Sequence, residues 1–138
     1  MISQLTQNLS VGDCQSVRAL ETPLQYDSII TLGYYDKFDY ALPEQSSTGD
    51  ALVFPDGAHD YEVFATAVNQ TLADIDAGNR VLVHCQAGCS RSPSVCIAVL
   101  GHTHDLSYEA AYARVKDAHP STNPSPELEA SARRYLTE

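Results

Sequence analysis

Apolar positions recur along this chain in two periods, and the changes from one to the other predict an alternation of strands and helices. Ile2 to Val11 alternates loosely, which predicts two short strands, Ile2–Leu5 and Asn8–Val11, with Gly12-Asp13 turning the chain behind them. Cys14 to Leu20 has room for one or two helical turns. Ile29-Ile30-Thr31-Leu32 is apolar and β-branched, the composition of a central strand. Gly33 to Asp50 carries tyrosines, acids, Pro43 and the run Ser46-Ser47-Thr48-Gly49 without periodicity, so it reads as a surface loop. Ala51-Leu52-Val53-Phe54 predicts another strand, closed by Pro55.

The helical period takes over at Tyr61. Val63, Phe64, Ala67, Val68, Leu72 and Ile75 fall on one face, and Gly78 is placed to end the helix in a left-handed conformation. Val81-Leu82-Val83 is a buried strand by composition, running on to His84. Ser92-Pro93 reads as the start of a helix, Ser capping and Pro at the first helical position, that carries Ser94 to Leu100 and stops after Gly101-His102. Ser107 can cap a third helix with Ala110, Ala111, Ala113 and Val115. His119 to Pro124 breaks that helix, and Ser125-Pro126-Glu127 opens a last one that reaches about Leu136. The order predicts an α/β fold with a central, mostly parallel sheet of four to five strands and helices on both faces, a three-layer domain.

With 138 residues the chain reads as one domain, 1–138, with apolar content (43%) ordinary for a folded protein. The N-terminal stretch lacks the basic region and long apolar run of a secretory leader, and no stretch approaches the ~20 apolar residues of a membrane span. Cys14, Cys85, Cys89 and Cys96 lack the spacing of a disulfide framework, which fits a cytoplasmic protein with working thiols. Charge narrows the picture further. Eighteen acids against eight bases give a net charge of −10, which disfavours nucleic acid or an anionic membrane as partner. Only two bases are lysines, Lys37 and Lys116, and such an Asp-rich, Lys-poor surface suits a high-salt cytoplasm where self-repulsion is screened, a merely acidic mesophilic protein being the alternative.

The chemistry concentrates between Arg80 and Leu100. A strand leads into Cys85-Gln86-Ala87-Gly88-Cys89-Ser90-Arg91, a loop of small residues with a thiol at its mouth and a guanidinium at its end, and a helix follows. A strand, a tight loop and a helix N-terminus make an anion cradle, because backbone N–H groups converge there beside partial positive charge. The same field favours a thiolate over a thiol, and only the thiolate is a nucleophile. Arg91 can grip a phosphate through two parallel hydrogen bonds, and Ser92 can donate its hydroxyl to the sulfur of Cys85.

The run His84-Cys85-Gln86-Ala87-Gly88-Cys89-Ser90-Arg91-Ser92 resembles the H-C-x5-R-S/T signature of the cysteine-based protein tyrosine phosphatases, and the Ala87-Gly88 and Ser90-Arg91-Ser92 elements resemble the dual-specificity branch most. The resemblance implies hydrolysis of phosphotyrosine, and of phosphoserine and phosphothreonine, on a phosphorylated protein or peptide, through a phosphocysteine intermediate and without metal or cofactor. It implies Cys85 as nucleophile, Arg91 as phosphate clamp, Ser92 as helper in the second step, and the backbone of Gln86, Ala87, Gly88, Cys89, Ser90 and Arg91 as the phosphate cradle. The family's acid is an Asp on a loop about 30 residues before the nucleophile, just after a strand. Asp56 lies 29 positions before Cys85 and matches, while Asp60 is the rival, with helix capping as its simpler role. A Pro/Asn loop buttresses the phosphate loop in the family, which marks Asn123 as a supporting residue although the order around Pro120 and Pro124 is altered.

Other readings compete for the same residues. His84 and Cys85 are neighbours leaving a strand, so their side chains point apart, which argues against a shared metal and for His84 holding the loop backbone. His59 reads as a surface residue of the Asp56 loop, Cys96 as buried packing, and Cys89 as either loop filler or a redox partner of Cys85. A phosphopeptide-binding module without turnover, a phosphatase for a non-protein ester and a sulfurtransferase are the alternatives; the first two need less of the Cys85–Asp56 pair or more cations, and the third has no use for Asp56.

Overall fold

The computed structural model describes residues 1–20, 25–33 and 52–138, so most of the loop predicted from Gly33 to Asp50, and Ala51, lie outside the described residues. In order, the elements are β1 (Ile2–Thr6), β2 (Leu9–Asp13), α1 (Cys14–Arg18), β3 (Ser28–Thr31), α2 (Tyr61–Asp76), β4 (Val81–Cys85), α3 (Arg91–His104), α4 (Tyr108–Ala118) and α5 (Pro126–Thr137). Among the described residues the strands form one four-stranded sheet in the order β1-β2-β4-β3. β2 and β3 both run parallel to β4, and β1 pairs antiparallel with β2, so the sheet is mixed.

Strand alternation divides the sheet into two faces. Leu82 of β4 and Ile29 of β3 point to one side, where Val17 of α1 covers them. Val81, Val83 and Cys85 of β4, with Ile30 of β3 and with Leu9 and Val11 of β2, point to the other, into the main core with Phe64 and Val68 of α2, Val95 and Ile97 of α3, Val115 of α4 and Leu128 of α5. α3 is the central helix of that layer, buried from Ser92 to Gly101, and Gly101 lets α5 close on it: a Cβ there would sit 2.7 Å from the methyl carbons of Leu136.

Four local expectations change. Among the described residues, Leu52–Phe54 pairs as no strand, and the Phe54 N–H bonds to the Leu32 carbonyl beyond the end of β3, at 3.1 Å. Gly12-Asp13 is not a turn but the end of β2, and Asp13 caps α1 by accepting from the Ser16 N–H. α3 begins at Arg91 with Ser90 as its N-cap, two residues earlier than the Ser92-Pro93 pair suggests, because the loop bends before Arg91 and not after it. It also runs past Gly101-His102 to His104, where Asp105 in the left-handed region (φ 55°) ends it. Asp60, Ser107 and Ser125 cap α2, α4 and α5 through their side chains.

Candidate active site

The carboxyl ends of the three parallel strands meet at one place, and the loop from Cys85 to Arg91 lies across it. Open α/β sheets hold ligands at this end. β4 delivers Cys85 there, β2 delivers Gly12 and Asp13 beside it with Cys14 opening α1, and the residues after β3 deliver Leu32 and Gly33.

The loop's carbonyls are drawn outward. Gln86 O accepts from the Cys14 N–H at 3.2 Å, Gly88 O from His119 Nε2 at 2.7 Å, Cys89 O from the Asn123 N–H at 2.6 Å, and Ser90 O from the Ser94 N–H at 3.0 Å. The C=O and N–H of one peptide group point opposite ways, so these contacts turn the amides of Ala87, Cys89, Ser90 and Arg91 away from their carbonyl partners. Gly88 provides the sharp bend, with φ 71°; its backbone lies so close to β2 that a Cβ would meet Gly12 O at 3.1 Å and Asp13 N at 3.2 Å. The Ser90 hydroxyl accepts from the Ser125 N–H at 2.8 Å and makes no cap bond to α3, so it does not take up the first-turn amides of that helix.

Cys85 is buried, with Sγ 3.2 Å from the Ser92 hydroxyl, which also donates to Gly12 O at 3.1 Å. One hydroxyl proton serves two acceptors: a Cys85 thiol donates to Ser92 while Ser92 donates to Gly12, and a thiolate draws the hydroxyl to itself. Arg91 Nη1 donates to Phe54 O at 2.8 Å, and the guanidinium lies flat on Gly33, where a Cβ would come within 2.3 Å of it.

Asp56 stands exposed two residues after Phe54, followed by Gly57 at φ 125°. Asp60, its rival, spends its carboxylate on the Glu62 N–H at 2.9 Å as the α2 cap. His59 is more than a surface residue: half-buried against Phe54 and Phe64, it binds Gly57 O at 2.6 Å and the Ser131 hydroxyl at 2.7 Å, tying the loop to α5.

His84 faces away from Cys85, on the α1 side of the sheet, with Nε2 2.9 Å from the Thr31 hydroxyl. Burial lowers its pKa to about 4, against a smaller upward pull from the Cys85 backbone and the Asp13 carboxylate, so the ring under the loop is neutral at physiological pH. Asn123 supports the loop through its backbone N–H, with its residue exposed.

The dual specificity phosphatase catalytic domain family matches residues 58–137, more than half of the chain. The chain belongs to that family. The match takes in the whole loop and every residue that braces it from α4 and α5, and it begins just after Asp56. Among curated relatives of this phosphatase-family chain, mouse dual specificity protein phosphatase 1 is 44% identical over 50 residues, covering 36% of this chain and 14% of that protein. The Drosophila melanogaster dual specificity protein phosphatase Mpk3 is 49% identical over 49 residues, 36% of this chain and 12% of its own. The matched segment is thus a small part of those much longer proteins. In solved structures, the fold is shared with the human tyrosine phosphatase-like serine/threonine/tyrosine-interacting protein (TM-score 0.80, 19% identity, covering 99% of this chain and 95% of that one) and with a leucine rich repeat and phosphatase domain containing protein from Entamoeba histolytica (TM-score 0.79, 16% identity, 99% and 90%).

The other thiols of this family member differ from Cys85. Cys96 on α3 is fully buried, and burial, with the nearby Cys85 second, pushes its thiol up. Cys89 is partly exposed and turns its Sγ to Ala87 O at 3.5 Å, while Cys85 turns its own to Ser92. Two contributors escape a reading by motif: Gly33, whose missing side chain makes room for Arg91, and His119, which holds Gly88. Among the described residues, no helix is long and apolar enough to cross a membrane.

Proposed function

We propose that residues 1–138 form one cytoplasmic catalytic domain that hydrolyses phosphate monoesters on proteins, phosphotyrosine foremost and phosphoserine or phosphothreonine beside it. The observation that supports this best is the Cys85–Ser92 pair at the mouth of a loop whose carbonyls are drawn outward. The inward amides from Gln86 to Arg91 and the Arg91 guanidinium hold the three non-bridging phosphate oxygens, whose charge grows toward the transition state. The Cys85 thiolate attacks phosphorus as the ester P–O bond breaks, and Asp56 gives its proton to the departing oxygen. Water then attacks the phosphocysteine, Asp56 takes the water proton, and the sulfur leaves as a thiolate that the Ser92 hydroxyl stabilises. In this reading the loop supplies the charge that a metal supplies elsewhere, and no cofactor takes part.

The resemblance to an interacting protein keeps a second reading in view, a module that binds phosphopeptides without turnover. Such a module needs the loop and Arg91 but not Cys85 or Asp56, and this chain keeps both. A sulfurtransferase would also use the cysteine and has no need of the acid.

The test is phosphate release from phosphotyrosine and phosphoserine peptides by the parent, Cys85→Ser and Asp56→Ala, with thiosulfate offered in parallel. Cys85→Ser should be inactive and Asp56→Ala slower by roughly 10²- to 10⁴-fold. A Cys85→Ser protein as fast as the parent, or a parent that forms persulfide and releases no phosphate, overturns the proposal.

A further inference from the structure

Three of the four outward-drawn carbonyls of the phosphate loop are held by backbone N–H groups, which any residue but proline supplies. Gly88 is different: Ser90 O takes the Ser94 hydroxyl at 2.6 Å in addition to its backbone donor, whereas Gly88 O is held by a side chain in place of one, His119 Nε2 at 2.7 Å. It is also the residue at which the loop is easiest to turn, since glycine at φ 71° has few conformational barriers. Resting on the phosphatase reading above, we propose that His119 is a positioning residue for phosphate: it latches the Gly88 carbonyl outward so that the next amide, that of Cys89, stays aimed at the anion.

The ring is built for one task. A carbonyl oxygen cannot donate, so Nε2 must carry the hydrogen, and in a neutral ring Nδ1 is then an acceptor. Nδ1 meets the Ser3 hydroxyl at 2.7 Å, which donates to it and thereby reinforces that tautomer. The Ser121 hydroxyl lies 3.1 Å from Nε2, on the same side as Gly88 O, and can only share the hydrogen without replacing the carbonyl. His119 is 1% exposed, and the chain around it is fastened at both ends. Its N–H closes α4 on Val115 O, its carbonyl accepts from the Thr122 N–H and hydroxyl, and Lys116 Nζ binds the carbonyls of Pro120 and Thr122. A serine on edge strand β1, a histidine at the end of α4 and a glycine in the loop thus form one buried line joining residues 116 positions apart in sequence. No metal is needed to explain the ring, and both of its nitrogens are satisfied.

Without the latch, the Gly88–Cys89 peptide loses its one side-chain restraint, and turning it would place a carbonyl dipole against the phosphate and withdraw one amide. Phosphate binding and turnover should suffer together, because the same amides hold the ground state and the transition state.

The experiment measures binding of inorganic phosphate by calorimetry, its competitive inhibition constant, and kcat/KM on an aryl phosphate, beside the melting temperature. His119→Ala should bind phosphate roughly tenfold more weakly, the loss of about one buried hydrogen bond. His119→Gln, whose amide N–H can reach the same carbonyl, should stay within about threefold of the parent. Ser3→Ala removes only the hydroxyl behind the ring and should weaken phosphate binding by about threefold, which keeps the test open if His119→Ala does not fold. Folded His119→Ala or Ser3→Ala proteins that bind phosphate as the parent does overturn the latch alone. A parent that neither binds phosphate nor turns over an aryl phosphate overturns the phosphatase reading and the latch with it.

Discussion

The Arg91 guanidinium donates to the Phe54 carbonyl at 2.8 Å, two residues ahead of Asp56. The group proposed to clamp the phosphate is therefore also the group that fixes the start of the loop carrying the proposed acid. Gly33 makes that contact sterically allowed, because the guanidinium fills the space a Cβ would need. The prediction is specific. Gly33→Ala should displace Arg91, raise KM for an aryl phosphate by roughly tenfold and lower kcat as well, since a clamp displaced by about 1 Å can be worth orders of magnitude in rate. The Gly33 backbone has no left-handed φ, so the melting temperature should move little. A variant with parent kinetics would show that the guanidinium reaches phosphate without this support.

Asp56 and Asp60 separate in the same way. Asp60 accepts from the Glu62 N–H and serves α2, whereas Asp56 is exposed two residues after the Phe54 carbonyl that Arg91 holds. Asp56→Asn should lose most activity on esters with poor leaving groups and much less on esters with good ones, because only the former need a proton. Asp60→Ala should lower stability by about 1 kcal/mol, the usual worth of an N-cap, and leave the leaving-group dependence unchanged. Rates over a series of aryl phosphates, read beside melting curves, check both. A steeper leaving-group dependence in Asp60→Ala than in Asp56→Asn would reverse the assignment.

Much of this arrangement is legible in the amino-acid order, and what is not has physical reasons. The strand that leads into Cys85, the loop and the buried helix behind it follow from local pattern, because apolar period and small residues are properties of neighbours. The caps at Asp60, Ser107 and Ser125 follow for the same reason. Leu52–Phe54 misleads because three apolar residues have the composition of a strand, yet a strand needs a ladder and Phe54 makes a single bond to Leu32. Ser92 misleads in the opposite sense: its hydroxyl is drawn to Cys85 and Gly12 by tertiary structure, and Ser90, not Ser92, begins the helix. His119 and Gly33 are invisible to any local rule, since each acts on a loop or a guanidinium that only the fold brings near. Asn123 acts through its backbone, where residue type leaves no trace.

His84 makes stability depend on pH in a known direction. Its pKa in the folded protein is about 4, below the ordinary 6.5, because burial penalises the imidazolium. Between those values the unfolded chain binds a proton that the folded one does not, so stability falls as pH drops from 6.5 toward 4. The full effect is about 3 kcal/mol, and above pH 6.5 it vanishes. Melting temperatures of the parent should decline through this window, and those of His84→Gln should decline less steeply, from a lower starting value because the Thr31 contact is weakened. Equal slopes for the two proteins would mean that the ring is protonated in the fold.

Net charge bears on substrate capture. At −10 the domain repels the phosphorylated peptides proposed as its substrates, which would have to reach the loop through the field of the whole surface. The ion pairs Arg80–Asp27, Arg133–Glu109 and Arg134–Glu138 neutralise several of its few cations locally, leaving the surplus of acids to set the far field. Raising salt from about 0.1 M to about 1 M shortens the Debye length from ~10 Å to ~3 Å and removes most of that repulsion. KM for an anionic phosphotyrosine peptide should then fall by roughly threefold, while kcat changes little, because the loop amides and Arg91 act within contact distance. A peptide carrying compensating lysines is the control, and its KM should stay flat or rise, since salt screens an attraction in that case. If KM for the acidic peptide climbs steadily with salt, the surface charge is not what limits access, and the local field of the loop governs capture from the start.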